Sequence, residues 1–199
     1  MTQLGNGLFD AEEYADALSV REAELAMLRR LGARERNILT VQTNLATSYE
    51  MVGQEEQAVH MQGEVYAGTL QLFGEEHEDT LIDANNYASL LVTVKRFEEA
   101  KSLLRKKIPV VRRVLGESEF TLTMKKIYAR ALYEDTDATL DDLREAVATL
   151  EETERIVRRM LGDLHPTVAE FEVSLHNSRA ALRARETPLP ASSISNEIN

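Results

Sequence analysis

Cysteine is absent from the 199 residues, which removes disulfides, thiolate metal ligands and cysteine nucleophiles together. Tryptophan is absent too, and aromatic residues make up only 6% of the chain, so a core must be built from aliphatic side chains. All four prolines lie beyond residue 108, leaving the first half free of the strongest helix breaker. No apolar run approaches the ~18 residues of a membrane span, and Met1 to Asp10 has neither the basic start nor the apolar centre of a signal peptide. Positive charge is in deficit, with 23 Lys and Arg against 34 Asp and Glu and a net charge of −11. Nucleic-acid binders carry the opposite balance because phosphate neutralisation supplies much of their affinity, and anionic membrane surfaces repel such a chain for the same reason. The expectation is a cytoplasmic protein that binds neither nucleic acid nor membrane.

What is abundant is alanine, leucine, glutamate and arginine, all good helix formers, within a chain that is 43% hydrophobic. An all-α fold follows. Its organisation is written in a repeat: Leu31-Gly32, Phe73-Gly74, Leu115-Gly116 and Leu161-Gly162 punctuate the chain, the first three glycines 42 residues apart and the last following at 46. A period of this length marks stacked supersecondary units rather than one compact domain.

In the unit that begins at Gly74, Leu81, Ala84, Ala88 and Leu91 form one apolar stripe at helical spacing. Lys95-Arg96 is a tight polar break, and Phe97, Ala100, Leu103, Leu104, Ile108 and Val111 form a second stripe. Each unit is therefore an antiparallel helical hairpin. The unit from Gly32 aligns without gaps, while the unit from Gly116 carries extra residues between its helices, around Glu134 to Asp141, which accounts for the longer last spacing. Alanine recurs in register on first helices (Ala46, Ala88, Ala129) and on second helices (Ala58, Ala100, Ala146), as a close crossing of two backbones requires. The basic pairs Arg29-Arg30, Arg112-Arg113 and Arg158-Arg159 complement helix C-termini, and the glycines after them suit the left-handed C′ position. Before Leu31 only a second-type helix is evident, with its partner missing or reduced to Met1 to Asp10. Pro109, inside a helical stripe, predicts a bend or break near Lys106 to Pro109.

The string Leu161-Gly162-Asp163-Leu164-His165-Pro166-Thr167-Val168-Ala169 resembles the linker of kinesin-light-chain-type tetratricopeptide repeats, and Phe73 to Leu81 is similar to a degenerate copy. Asn85-Asn86-Tyr87-Ala88 and Thr43-Asn44-Leu45-Ala46 resemble that family's Asn-Asn-Leu-Ala on the first helix. The resemblance implies a scaffold or adaptor that holds a peptide along a concave groove of first helices, with the asparagines hydrogen-bonding its backbone. Asn44 and Asn86 match the groove position, where the third unit has Ile127 and the fourth Ser174. Asn44 and Asn86 could instead fix repeat stacking through interhelical hydrogen bonds. Val41, Ser48 and Asp83 lie one turn away on the same faces, and Lys126 would add a positive point; Asp83 disfavours acidic ligands, so a basic or neutral peptide is preferred.

His60, His77, His165 and His176 share no metal-ligand spacing, Gly5-Asn6-Gly7 lacks the rest of a phosphate loop, and Glu75-Glu76 and Asp141-Asp142 read as exposed connectors. The expected protein is thus an α-solenoid of tandem antiparallel hairpins with a tetratricopeptide-like period of ~42 residues. It comprises an array over 1–186 (half-unit 8–31, units 32–73, 74–115 and 116–161, terminal helix 162–186) and a disordered tail over 187–199. It is expected to be a non-enzymatic scaffold for a protein or peptide partner, with no metal and no cofactor. A regulatory arm of a larger signalling or motor-adaptor protein is the alternative, and an unpaired Tyr14-Leu18-Leu25-Leu28 stripe able to self-associate would favour it. A small enzyme would instead require a deep pocket of convergent polar groups with shifted pKa values.

Overall fold

The computed structural model describes residues 1–187, so all but the first residue of the expected tail lies outside the described residues. Among the described residues there are helices only: α1 (Thr2–Asp10), α2 (Tyr14–Arg30), α3 (Glu35–Met51), α4 (Glu55–Phe73), α5 (Glu78–Thr93), α6 (Phe97–Leu115), α7 (Glu119–Tyr133), α8 (Leu140–Leu161) and α9 (Pro166–Glu186). Each helix packs on the next, so each second helix is held between the first helix of its own hairpin and that of the following one. Successive first helices also touch, α5 on α7 and α7 on α9, whereas α6 and α8 make no comparable contact. The layer of first helices is therefore the tighter, concave side of an α-solenoid.

The hairpins cross at small residues. Ala46, Ala88 and Ala129 on α3, α5 and α7 and Ala17, Ala58, Ala100 and Ala146 on α2, α4, α6 and α8 are all buried. Gly5 holds the matching position on α1, where a Cβ would meet Arg21 Cγ at 3.2 Å. Residues 1–31 thus contain both helices of a hairpin, with α1 as the reduced first helix. The Leu18-Leu25-Leu28 stripe packs on Val41 and Leu45 of α3, and Tyr14 meets Phe9 of α1 edge-on at 5.1 Å. The Tyr14-Leu18-Leu25-Leu28 stripe is therefore packed on α1 and α3 rather than unpaired.

One turn beyond each second-helix alanine stand Arg21, Gln62, Leu104 and Leu150 in the same register. The later two are fully buried in one continuous apolar cluster that runs from α4 to α9. The earlier two make polar junctions. Arg21 Nη1 donates to the Asn44 carbonyl (2.9 Å) and to Ser48 Oγ (2.5 Å), Nη2 donates to Asn6 Oδ1 (3.1 Å), and the guanidinium lies over Phe9 at 4.7 Å. Gln62 Nε2 donates to Asp83 Oδ1 at 3.2 Å. Buried lysines stitch the later units: Lys101 to Asp135 (2.8 Å) and Glu98 (2.5 Å), Lys107 to Glu75 (3.3 Å), and Lys125 to Glu117 (2.9 Å). Asp135 lies in the longer α7–α8 connection, so Lys101 ties that loop down.

Helix starts account for the two connector histidines. His77 and His165 cap α5 and α9, each Nδ1 accepting a backbone N–H, from Asp79 and Thr167 respectively, and Pro166 occupies the first turn. Ser118 caps α7, and Thr139 with Asp142 forms a capping box on α8.

Helix ends differ from expectation. Gly32 does close α2 in the left-handed position, with Gly32 N–H on Arg29 O and Ala33 N–H on Leu28 O. Gly74, Gly116 and Gly162 do not: φ is 86°, 64° and 84° with ψ of 172°, −154° and 157°. That is the extended mirror region, essentially closed to side-chain-bearing residues, and it lets the chain leave the helix as an extended connector. The left-handed closure instead recurs inside the hairpins, at Glu12, Gly53 and Lys95, two of which are not glycine. Of the bend or break expected at Pro109, the break does not occur, because α6 is continuous from Phe97 to Leu115. Pro109 and Arg105 are both exposed, so the carbonyl that Pro109 cannot serve is open to water, while Leu104, Val110 and Val111 hold the buried side in place. The basic pairs also do more than complement the helix dipole: Arg113 bonds Glu76, Arg112 meets Glu117 at 3.2 Å, and Arg158 bonds Glu154 and Glu172.

The turn geometry yields two opposite outcomes in urea or thermal denaturation. Gly116→Ala has room for its Cβ, so its expected loss of about 1–3 kcal/mol comes from the backbone alone. Lys95→Gly relieves a left-handed side-chain-bearing residue and should gain up to about 1 kcal/mol. Equal stability of both variants and the parent would show that the connectors relax freely.

Candidate functional site

The concave layer presents α3, α5, α7 and α9 side by side. Position 44 of α3 corresponds to 86 of α5, 127 of α7 and 174 of α9, and the turn before it to Thr40, Ile82, Thr123 and Glu170. Asn44 and Asn86 are both half-buried on this layer. Among the described residues no protein group bonds either side chain, so the interhelical hydrogen bond weighed for them is not found; at Asn44 it is the backbone carbonyl that receives Arg21.

Val41 and Ser48 do not belong to the groove. Val41 is 4% exposed and packs with Leu25 and Leu45, and Ser48 is fully buried with its Oγ taken by Arg21. Both face the preceding hairpin, because the two-sided packing of a first helix claims residues on either flank of the Asn44 stripe. Lys126 is not a free positive point, since Nζ pairs with Glu170 at 2.6 Å and lies 5.2 Å from the Phe171 ring centre. Ser174 Oγ donates to Glu170 O at 3.0 Å within its own helix. Ile127, 9% exposed, turns into the core and ends the asparagine row at α5.

Two of the expected residues are brought together. Asn44 and Asp83 line one cavity of about 230 Å³ between α3, the end of α4 and α5. Leu39, Phe73 and Ile82 supply its apolar walls, and Thr40, Thr43 and Thr69 its hydroxyls. Arg36 and Asp79 lie at the mouth, paired at 3.3 Å, with the Arg36 guanidinium 5.5 Å from the Phe73 ring centre. Sequence reasoning missed these lining residues. Thr40 lies one turn from Asn44 and was within reach of helical periodicity, whereas Thr69 and Phe73 arrive from α4 and carried no such signal.

Asp83 is 6% exposed. Burial pushes its carboxyl pKa above the ordinary value, opposed by hydrogen bonding from Gln62 first and Thr69 second. Among the described residues no Lys, Arg or His nitrogen lies within ion-pair distance of it, which is unusual for a carboxylate so deeply buried.

A second cleft of about 430 Å³ opens on the outer side between α6 and α8, lined by Arg105, Ile108, Pro109, Lys125, Tyr128 and Glu145 among others. Its polar groups are already engaged. Arg105 Nε donates to Tyr128 Oη at 2.8 Å and Tyr128 Oη donates to Glu145 Oε1 at 2.7 Å. The Tyr128 hydroxyl is pushed up to about 12, by burial first and by Glu145 second, so it holds its proton at neutral pH. Nothing there is poised for acid–base chemistry. Among the described residues no cluster of three or more His, Asp or Glu side chains could hold a metal ion, and no helix is long and apolar enough to cross a membrane.

Comparison with known proteins agrees with the architecture. Residues 38–79, one repeat length from α3 into the start of α5, match the tetratricopeptide repeat family. No curated protein matches the sequence. A point variant of Podosopora anserina repeats, described as the nearly identical TPR-like repeats of a kinesin light chain, superimposes with a TM-score of 0.79 at 22% identity, covering 92% of this chain and 85% of that one. A second structure of the same repeats gives 0.77 at 22% identity and the same coverage. BtubC (BKLC) from P. vanneervenii gives 0.72 at 17% identity, covering 98% and 84%. The fold is that of a tetratricopeptide-like solenoid, as the linker and Asn-Asn-Tyr-Ala motifs implied.

The state of Asp83 has a direct consequence for stability. Its folded-state pKa is raised, so stability falls as pH rises from the unfolded carboxylate's range through the folded value, and the cost persists at neutral pH. Asp83→Asn keeps an oxygen for Gln62 and removes the charge. Its Tm should exceed the parent's at pH 7, with the difference shrinking at acid pH; a lower Tm at pH 7 would show that the carboxylate is compensated.

Proposed function

We propose that this tetratricopeptide-like array is a non-enzymatic, cytoplasmic interaction scaffold that binds an extended peptide or helical partner along the concave layer of α3, α5, α7 and α9. The observation that carries this reading is the pair of in-register amides at Asn44 and Asn86, half-buried on the open face and unbonded by protein among the described residues. An extended peptide brings backbone N–H and C=O groups that need partners, and a side-chain amide offers both a donor and an acceptor. Repeat folds of this kind are interaction surfaces by construction, because curvature leaves one long face open.

The row of amides covers α3 and α5 only. At α7 the corresponding residue is Ile127, and at α9 it is Ser174, satisfied within its helix. Peptide-backbone recognition is therefore assigned to the α3–α5 half of the groove, with Lys126 and Ser174 as peripheral contacts and Val41 and Ser48 as supports behind the surface.

An affinity pull-down with the parent beside Asn44→Ala/Asn86→Ala tests the assignment. The double variant should keep its helicity by circular dichroism and lose tenfold or more of partner recovery. Equal recovery of every partner by both proteins would remove the groove reading.

A further inference from the structure

The cavity between α3 and α5 contains more than a place for a peptide backbone. Its most buried ionisable group is Asp83, more than nine-tenths buried, held at Oδ1 by Gln62 Nε2, hydrogen-bonded also by Thr69, and without a cation in reach among the described residues. Buried carboxylates are ordinarily paired, because the neutral amide of a glutamine offsets only part of the lost hydration. The other titratable groups that line the cavity are Arg36 and Asp79, and these pair with each other at the mouth. The cavity as a whole therefore carries one uncompensated negative charge, and that charge belongs to its most buried ionisable group. Burial of this carboxylate, seen also in its raised pKa, is what a preformed site for a cation would show before the cation arrives.

The walls narrow the choice of cation. Leu39, Phe73 and Ile82 give the cavity that holds Asp83 an apolar sleeve, and Ile82 remains 40% exposed. A long aliphatic stem with a charged head fits a sleeve of this kind. Gln62 occupies Oδ1 and the Thr69 hydroxyl also hydrogen-bonds the carboxylate, so its two oxygens are not both open to an incoming group. A planar guanidinium fork wants both oxygens, whereas an ammonium is a point charge with three freely placed donors, and the Thr40 and Thr43 hydroxyls lie around it to accept the others.

We infer that this cavity is the anchor subsite of the groove and receives a lysine side chain of the bound peptide, its ammonium on Asp83 and its stem against Leu39, Phe73 and Ile82. The peptide part of this statement rests on the groove reading above; the side-chain part rests on the cavity alone. Asn44, on the cavity wall, places the backbone amide contact beside the anchored side chain, so the α3–α5 half of the groove reads one lysine and its own main chain together.

The test uses the full chain, labelled with 15N, titrated with N-acetyl-lysine N-methylamide, with the arginine and norleucine analogues in parallel. Saturable shifts should appear at amides around the cavity, such as Thr40, Asn44, Ile82 and Asp83, with the norleucine and arginine analogues binding at least tenfold more weakly. Asp83→Asn should weaken the lysine analogue by the same factor. Thr40→Arg, which brings its own cation to an exposed position at the mouth, should do likewise and serves should Asp83→Asn prove misfolded. Absence of cavity shifts, equal binding of norleucine or arginine, or undiminished binding to both variants would overturn the inference. The amino-acid amide needs no peptide groove, so loss of the lysine response discards the cavity assignment while the pull-down still judges the groove. A lysine response beside an unaffected pull-down discards the groove alone.

Discussion

Close approach of two helix backbones at a residue without bulk is the constraint on which the rest of this molecule depends. Ala17, Ala58, Ala100 and Ala146 on the second helices and Gly5, Ala46, Ala88 and Ala129 on the first recur in register through the hairpins, and all are buried. With the crossing fixed there, the flanking turns of each helix are fixed as well: one flank belongs to the partner helix, one to the neighbouring hairpin, and the remaining face to the concave surface. No hairpin owns a private core. The apolar cluster from α4 to α9 is shared by every element it touches, so the stability of any unit is inseparable from that of its neighbours.

The junctions between hairpins are not equivalent, although their backbones are. The residue one turn after the second-helix alanine is Arg21, then Gln62, then Leu104 and Leu150. The apolar pair makes the α6-to-α9 half a packed interior. The polar pair makes the α2-to-α5 half a set of hydrogen bonds to Asn44, Ser48 and Asp83. Polar junctions are directional, so they hold the first helices of that half in a fixed relation. The candidate binding features gather in the same half: the free amides, the cavity and the unpaired carboxylate. The array thus divides its labour, with the later repeats packed tightly and the earlier ones kept polar and open.

Much of the architecture was legible without coordinates. The glycine period, the paired stripes and the recurring alanines outlined the succession of hairpins, and the insertion around Glu134 to Asp141 was visible as a lengthened spacing. The errors were local and instructive. Gly116 and Gly162 were expected in the left-handed conformation that Gly32 adopts, but composition cannot distinguish left-handed closure from extended exit, since glycine enters both. Pro109 was expected to bend or break α6; no break occurs, since the lost hydrogen bond falls on the solvated side and packing on the other side holds the helix. Asn44 and Asn86 were singled out by register and stand half-buried with unbonded side chains among the described residues, whereas Val41 and Ser48, equally close along α3, face the preceding hairpin.

The sequence by itself determined what is periodic: helix, hairpin, repeat length and the small residues at the crossings, because each is set by side chains three, four or about forty-two positions apart on the same chain. Only the tertiary structure decided what each polar residue does. Arg21, Gln62 and Asp83 look alike as charged and amide residues on helices, yet one fills a junction, one bridges it, and one is left facing a cavity without a counter-charge. That outcome depends on which atoms from distant parts of the chain arrive beside each group, and hydration, charge compensation and accessibility are properties of that arrangement rather than of the residue.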